Sequence, residues 1–262
     1  MYIQEQHWEK LFGHLTTEDS PWYGSWTVYS PEKEVMKSSQ AIRNLRANVD
    51  KTIITHTNQF PLADGTIQEK QWKIEKQTCN LPDGLLHPAD FSKRALSLID
   101  GGASAWVPTK LESGCSFSVE LFLKHEDWNT SIGSIYTENG DLEKILYLRE
   151  HLGSYPGITQ GQEINNLSGK WTGTKQSITP YLKISDEEEI TDLMLEPTPG
   201  KPETFYLPEG VIVNIPKQVK LGESFDIVAG KLVTENKYKR LTAKYDNLGN
   251  FVLLISEVFH RE

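Results

Sequence analysis

Trp22-Tyr23-Gly24-Ser25-Trp26-Thr27 opens a run of aromatic and β-branched residues, and Gly169-Lys170-Trp171-Thr172 opens a second. Each Gly-x-Trp start has a matching finish. Leu148-Arg149-Glu150 closes the first run and His260-Arg261-Glu262 closes the second. A glycine–tryptophan opening and an arginine closing, used twice, predict two closed β units built alike, because self-similarity at long period marks repeated structure. The final hairpin repeats as well: Tyr136-Thr137-Glu138-Asn139-Gly140-Asp141-Leu142 has its counterpart in Tyr245-Asp246-Asn247-Leu248-Gly249-Asn250-Phe251. The Asn139-Gly140 pair is the strongest short-range turn signal in the chain.

Outward from these markers the texture stays β. Thr-Ile-Ile-Thr-His-Thr at 52–57 reads as a strand, and Asp64-Gly65 as a hairpin turn before 66–76. Phe117, Val119, Leu121 and Leu123 alternate with a more mixed set, which predicts a strand with one buried face. Residues 91–99 fit a short helix or a strand equally. Before the first run, Trp8, Leu11, Phe12 and Leu15 fall at i, i+3, i+4, i+7, the spacing of a one-faced helix that caps its own domain. Gly, Pro, Gln and Asn dominate 153–166, which reads as a linker. The second run predicts strands near 170–178, 181–197, 204–215, 223–232, 238–246 and 250–260. The organisation expected is therefore all-β, sandwich or barrel: residues 1–152 with the helix and a first β unit, a linker at 153–167, and a smaller β unit at 168–262.

The formal net charge of -9 argues against nucleic acid and against an electrostatic grip on anionic membranes. No apolar run approaches the roughly 18 residues of a membrane helix, and Met1 to Leu15 lacks the apolar centre of a signal peptide. A cytoplasmic protein is expected. Cys79 and Cys115 match no zinc spacing and read as reduced thiols.

Gly24-x-Trp26 with Arg149, and Gly169-x-Trp171 with Arg261, resemble the signature of the lipocalin, or calycin, superfamily. That resemblance implies a helix-like segment before the first strand and a barrel end closed by the arginine lying across the indole, where cation–π attraction is worth roughly 0.5–2 kcal/mol. More of the chain is similar to a cyanobacterial and chloroplast group, the domain of unknown function 3598 family. The similarity runs through Trp22-Tyr23-Gly24-Ser25-Trp26-Thr27, Asn80 with Pro82-Asp83-Gly84, His87-Pro88-Ala89-Asp90, Glu120-Leu121-Phe122-Leu123 and Leu148-Arg149-Glu150. It implies a lipocalin-like fold and a photosynthetic host, and it supplies no activity. With the repeated opening and closing motifs, the expectation is two tandem lipocalin-like antiparallel barrels.

Motifs for hydrolases, metalloproteases, phosphate loops and paired cysteines are absent from the sequence. No catalytic residue and no metal ligand set is assigned, and no cofactor or oligomeric state is specified. His56, mid-strand, is the best placed of seven scattered histidines for an axial haem ligand. Glu120 is a carboxylate inside a largely apolar strand and needs a partner if it faces inward. Arg43 and Arg46 are the candidates for that partner, and for holding a ligand's acid group. Trp72, Trp106 and Tyr136 are candidate aromatic walls of a pocket. Together these residues predict binding of a small hydrophobic or amphiphilic molecule, of the lipid, tetrapyrrole or carotenoid class. A bilin lyase or chaperone role on tetrapyrroles, and a protein-interaction scaffold with filled barrels, are the two alternatives.

Overall fold

The computed structural model describes residues 2–99, 101–102, 104–156, 167–191, 193 and 202–262. Helix α1 spans Ile3–Phe12. Its predicted face is its buried face: Trp8, Leu11 and Phe12 are buried, with Leu15 just beyond the helix.

The first sheet holds β1 (Trp22–Tyr29), β2 (Val35–Ala47), β3 (Ile53–Pro61), β4 (Ile67–Glu75), β5 (Asn80–Leu81), β6 (Gly84–His87), β7 (Asp90–Leu96), β8 (Ala105–Pro108), β9 (Phe117–His125), β10 (Trp128–Tyr136) and β11 (Leu142–Leu152). A single turn of helix, α2 (Lys76–Cys79), joins β4 to β5. The strand order is β4-β3-β2-β1-β11-β10-β9-β8-β7-β6-β5. This sheet rolls into a nearly closed barrel. No ladder joins β4 to β5 and β6, and the seam is filled instead by α2 and by Trp72 against His87, ring centroids 6.3 Å apart. The stretch that fitted helix or strand is a strand from Asp90 to Leu96.

The second sheet holds β12 (Trp171–Ile178), β13 (Glu188–Thr191), β14 (Pro202–Leu207), β15 (Val211–Pro216), β16 (Phe225–Thr234), β17 (Lys237–Tyr245) and β18 (Phe251–Arg261), in the order β13-β12-β18-β17-β16-β15-β14. Most of the expected linker, 157–166, lies outside the described residues, as do 192 and 194–197 of the expected 181–197 strand.

Strand parity assigns the two faces of the first sheet. Leu121 sits opposite Ile132, and Ile132 opposite Tyr147. With Val119, Leu123 and Ile145 they form the outer face of β9–β11, which packs on Ile178, Val213, Ile227, Ala229, Ala243 and Leu254 of the second sheet. The largest core therefore lies between the sheets and not inside either. The sheets also meet reciprocally. Tyr136 Oη donates to the Pro216 carbonyl at 2.9 Å, and Tyr245 Oη donates to the Pro108 carbonyl at 3.1 Å. Each tyrosine stacks on a phenylalanine, Phe117 and Phe225 respectively, with centroids 4.8 Å apart in both pairs.

Candidate functional site

The opposite parity turns a mixed set of side chains into the barrel. The inward register runs Ile74, Trp72–His56–Leu45, Asn58–Arg43–Trp22, Gly24–Glu150–Asn129 and Ser131–Phe122, and Trp106 faces inward beside Glu120. At its centre Arg43 pairs with Glu150, whose side chain is 1% exposed. Glu150 also accepts from Asn129 Nδ2 at 2.9 Å and from Trp26 Nε1 at 3.3 Å. This set of donors is what a buried carboxylate requires. The Arg43 guanidinium lies 6.0 Å from the Phe122 ring centroid. Its Nε–H has no partner among the described residues.

Glu120 is hydrogen-bonded to the Ser131 hydroxyl. Burial pushes its carboxyl up, and the Ser131 bond and the Arg43 charge only partly oppose that. His56 is pushed down to about 3, first by burial and then by Arg43, so its ring is neutral. It bonds Asn58 Oδ1 at 3.1 Å. An aromatic chain continues from it through Trp72 (5.1 Å) and His87 to Trp106 (4.8 Å).

Between these groups and α1 is a cavity of about 100 Å³. Leu11, Phe12 and Leu15 close one side, and Leu45, Ile74, Leu85, Ala95, Trp106 and Phe122 supply apolar walls. Arg43, His56 and Asn129 supply the polar ones. His14, the exposed member of the lining, marks its mouth, together with Trp22, Gly101, Gly102 and Lys124.

Of the residues singled out in the sequence, Arg43 and Trp106 line this cavity. Glu120 and Trp72 face the same interior. Arg46 does not. Three residues from Arg43, it falls on the other side of β2, with its side chain 49% exposed and 3.7 Å from Asp19. Tyr136 is also on the other face, in the core between the sheets. Glu150, Asn129, Trp22, Lys124 and His14 were not anticipated. Alternation puts Glu150 and Arg149 on opposite faces of β11, but only the structure shows that Glu150 is the one turned inward. Among the described residues no three His, Cys, Asp or Glu side chains are grouped to hold a metal ion.

The family profile described as domain of unknown function (DUF3598), N-terminal, matches residues 4–155, more than half of the chain. The chain belongs to the DUF3598 family. A crystal structure of a DUF3598 protein of unknown function from Nostoc punctiforme PCC 73102 is similar over 98% of this chain and 99% of that one, with TM-score 0.72 and 17% identity. At that identity the likeness establishes the fold alone. A candidate AttH from Nitrosomonas europaea is similar only weakly (TM-score 0.24, 8% identity, 98% of this chain and 96% of that one covered). A second profile, the C-terminal domain of biogenesis factor required for ATP synthase 1, matches residues 190–258. No functionally curated protein matches the chain.

In this DUF3598 chain the two expected arginine–tryptophan clasps differ. Arg261 lies 4.6 Å from the Trp171 ring centroid. Arg149 lies at the same distance over Trp128, not Trp26, and pairs with Glu209 of the second unit. The reason is register. Trp26 sits opposite Leu148 and so faces inward, where it packs on Phe60 at 5.0 Å, while Arg149 faces outward. Trp22 opposite Leu152 holds the place that Trp171 opposite Arg261 holds in the second sheet. Likewise Gly24 and Gly173 share an environment. A Cβ at Gly24 would lie 2.1 Å from the Arg149 carbonyl oxygen, and one at Gly173 would lie 2.2 Å from that of Val258.

Proposed function

We propose that the DUF3598 barrel of this chain binds a small amphiphilic molecule, with its apolar part in the cavity beneath α1. One observation carries this reading: a largely apolar cavity inside the barrel has in its lining Arg43, a half-buried side chain whose own Nε–H is buried and unmatched among the described residues. Buried donors are normally satisfied, so an unmatched one beside a cavity favours a ligand oxygen there. Size narrows the class. About 100 Å³ is less than the ~150 Å³ apolar cavity that takes up benzene. A ring or short acyl group fits this volume better than a carotenoid or an open-chain tetrapyrrole, which would require α1 to leave its seat. The lipocalin-like reading of both units draws support from the matched registers at Trp22 and Trp171.

Thermal melting against phenol, acetophenone, benzoate and hexanoate tests this. A ligand at 100 times its Kd stabilises by about 2.7 kcal/mol, which is roughly 5–10 °C for a chain of this size. Leu45→Trp, which fills the cavity, is expected to abolish the shift while the protein still unfolds cooperatively. If none of the four compounds raises the Tm of the unmodified protein, the reading is wrong.

A second reading, an assembly factor that holds a protein partner, is favoured by the match of residues 190–258. It predicts co-elution with isolated ATP synthase subunits, undiminished by Leu45→Trp.

A further inference from the structure

The cavity has two poles, and they accept different charges. At the inner pole the Arg43 guanidinium is already matched by the Glu150 carboxylate, and Glu120 lies in the same field, bonded to Ser131. A ligand carboxylate placed there would add a further acid against one guanidinium, in surroundings that screen repulsion poorly. A neutral oxygen accepts the Arg43 Nε–H without adding charge.

The outer pole is the reverse. Lys124 reaches from β9 to the mouth, with Nζ 2.9 Å from the Gly101 carbonyl and 5.6 Å from the Trp22 ring centroid. His14 arrives from the end of α1. A Cβ on Gly101 would sit 2.9 Å from the Lys124 ammonium and 3.9 Å from His14 Nδ1, so both side chains flank one spot. Lys51 is anchored close by on the Gly13 carbonyl. Asp127 acts on Lys124, and among the described residues no acid lines the cavity itself. Burial lowers Lys124, with Asp127 opposing the shift; burial also lowers His14, and the neighbouring Lys124 and Lys51 lower it further.

Building on the binding function proposed above, we infer that the ligand is a small monocarboxylate whose acid group docks on Lys124 at the mouth, beside His14 and over the edge of Trp22. Its ring-sized body enters toward Arg43, carrying there a neutral oxygen at most. This polarity is opposite to the one expected from an inward arginine alone.

Calorimetric titration with benzoate, benzamide and benzylamine tests the polarity. Benzoate is expected to bind at least about ten-fold tighter than its neutral isostere benzamide, the scale of one charge-assisted hydrogen bond. Lys124→Met is expected to lower benzoate to the affinity of benzamide and to leave benzamide unchanged. Lys124→Gln, which keeps a donor for Gly101 without the charge, is expected to do the same, which separates charge from packing. Equal or tighter binding of benzamide or benzylamine, or a benzoate preference that survives both substitutions, overturns the inferred polarity and leaves the cavity reading standing. Binding of none of the three overturns both.

Discussion

Arg43 and Glu150 hold opposite charges in a place where either one alone is costly. Replacing one member of a buried pair leaves the other charge uncompensated, whereas replacing both with apolar groups is often neutral. Arg43→Met strands the Glu150 carboxylate with Asn129 and Trp26 as its donors. It is expected to lower stability by about 3–5 kcal/mol. The double substitution Arg43→Met with Glu150→Leu is expected to recover most of that loss in urea unfolding. A double variant as unstable as the single would show that shape, and not charge, sets the cost. Arg43, Glu120 and Trp106 were legible in the sequence by residue type alone. Arg46 and Tyr136 were not separable from them, because residue type says nothing about which face of a strand a side chain takes, and their positions on the ladder place both outside the barrel interior. Glu150 was hidden by its neighbour: Arg149-Glu150 read as one closing motif, yet the two side chains serve opposite faces.

Helix α1 was the easiest element to read, since a four-residue apolar pattern at helical spacing has few other meanings. What holds it down was not legible, because its partners are far away in sequence. Trp8 Nε1 donates to the Lys51 carbonyl at 3.0 Å, Glu5 pairs with Lys76 at 2.6 Å, and the Ser97 amide donates to His7 Nε2 at 3.1 Å. That last bond requires a neutral ring, and burial, reinforced by Lys10, pushes His7 down to about 4. The folded state thus binds a proton less readily than the unfolded state, where the value is about 6.5. Stability is complete above that value and declines as pH falls from about 6.5 toward 4. Near pH 5 the loss from His7 is about 2 kcal/mol. His7→Gln offers an uncharged acceptor to Ser97 and is expected to flatten this part of the profile, measured by urea unfolding at pH 7.5 and pH 5. An unchanged slope would place the acid sensitivity elsewhere. The strand at 90–96 was ambiguous for a physical reason: its buried residues, Ala95 and Leu96, are adjacent, so neither the two-residue nor the 3.6-residue period is displayed.

At the scale of the whole molecule, the repeat predicts two closed units built alike, and the structure places the largest core between them. Alternation along Phe117–Leu123 showed that one face is buried, but the same pattern results whether that face lies inside a barrel or beneath a second sheet. The reciprocal tyrosines mark this junction. Tyr136→Phe and Tyr245→Phe each leave a carbonyl of the other unit without its donor, at about 1–2 kcal/mol apiece. Their effects are expected to add, since the two donors bond separate carbonyls. Strong non-additivity in urea unfolding would show that the junction yields as one cooperative body. The junction also has a temporal side. When β11 leaves the ribosome, the surface that will cover Leu121, Ile132 and Tyr147 has yet to be made, and its last strand ends about a hundred residues later. At 5–20 residues per second the nascent first unit waits roughly 5–20 s with that apolar face uncovered. The interval in which this chain is most open to misassociation is therefore set by translation, and synonymous codons that slow residues 153–254 would lengthen it without altering the finished protein.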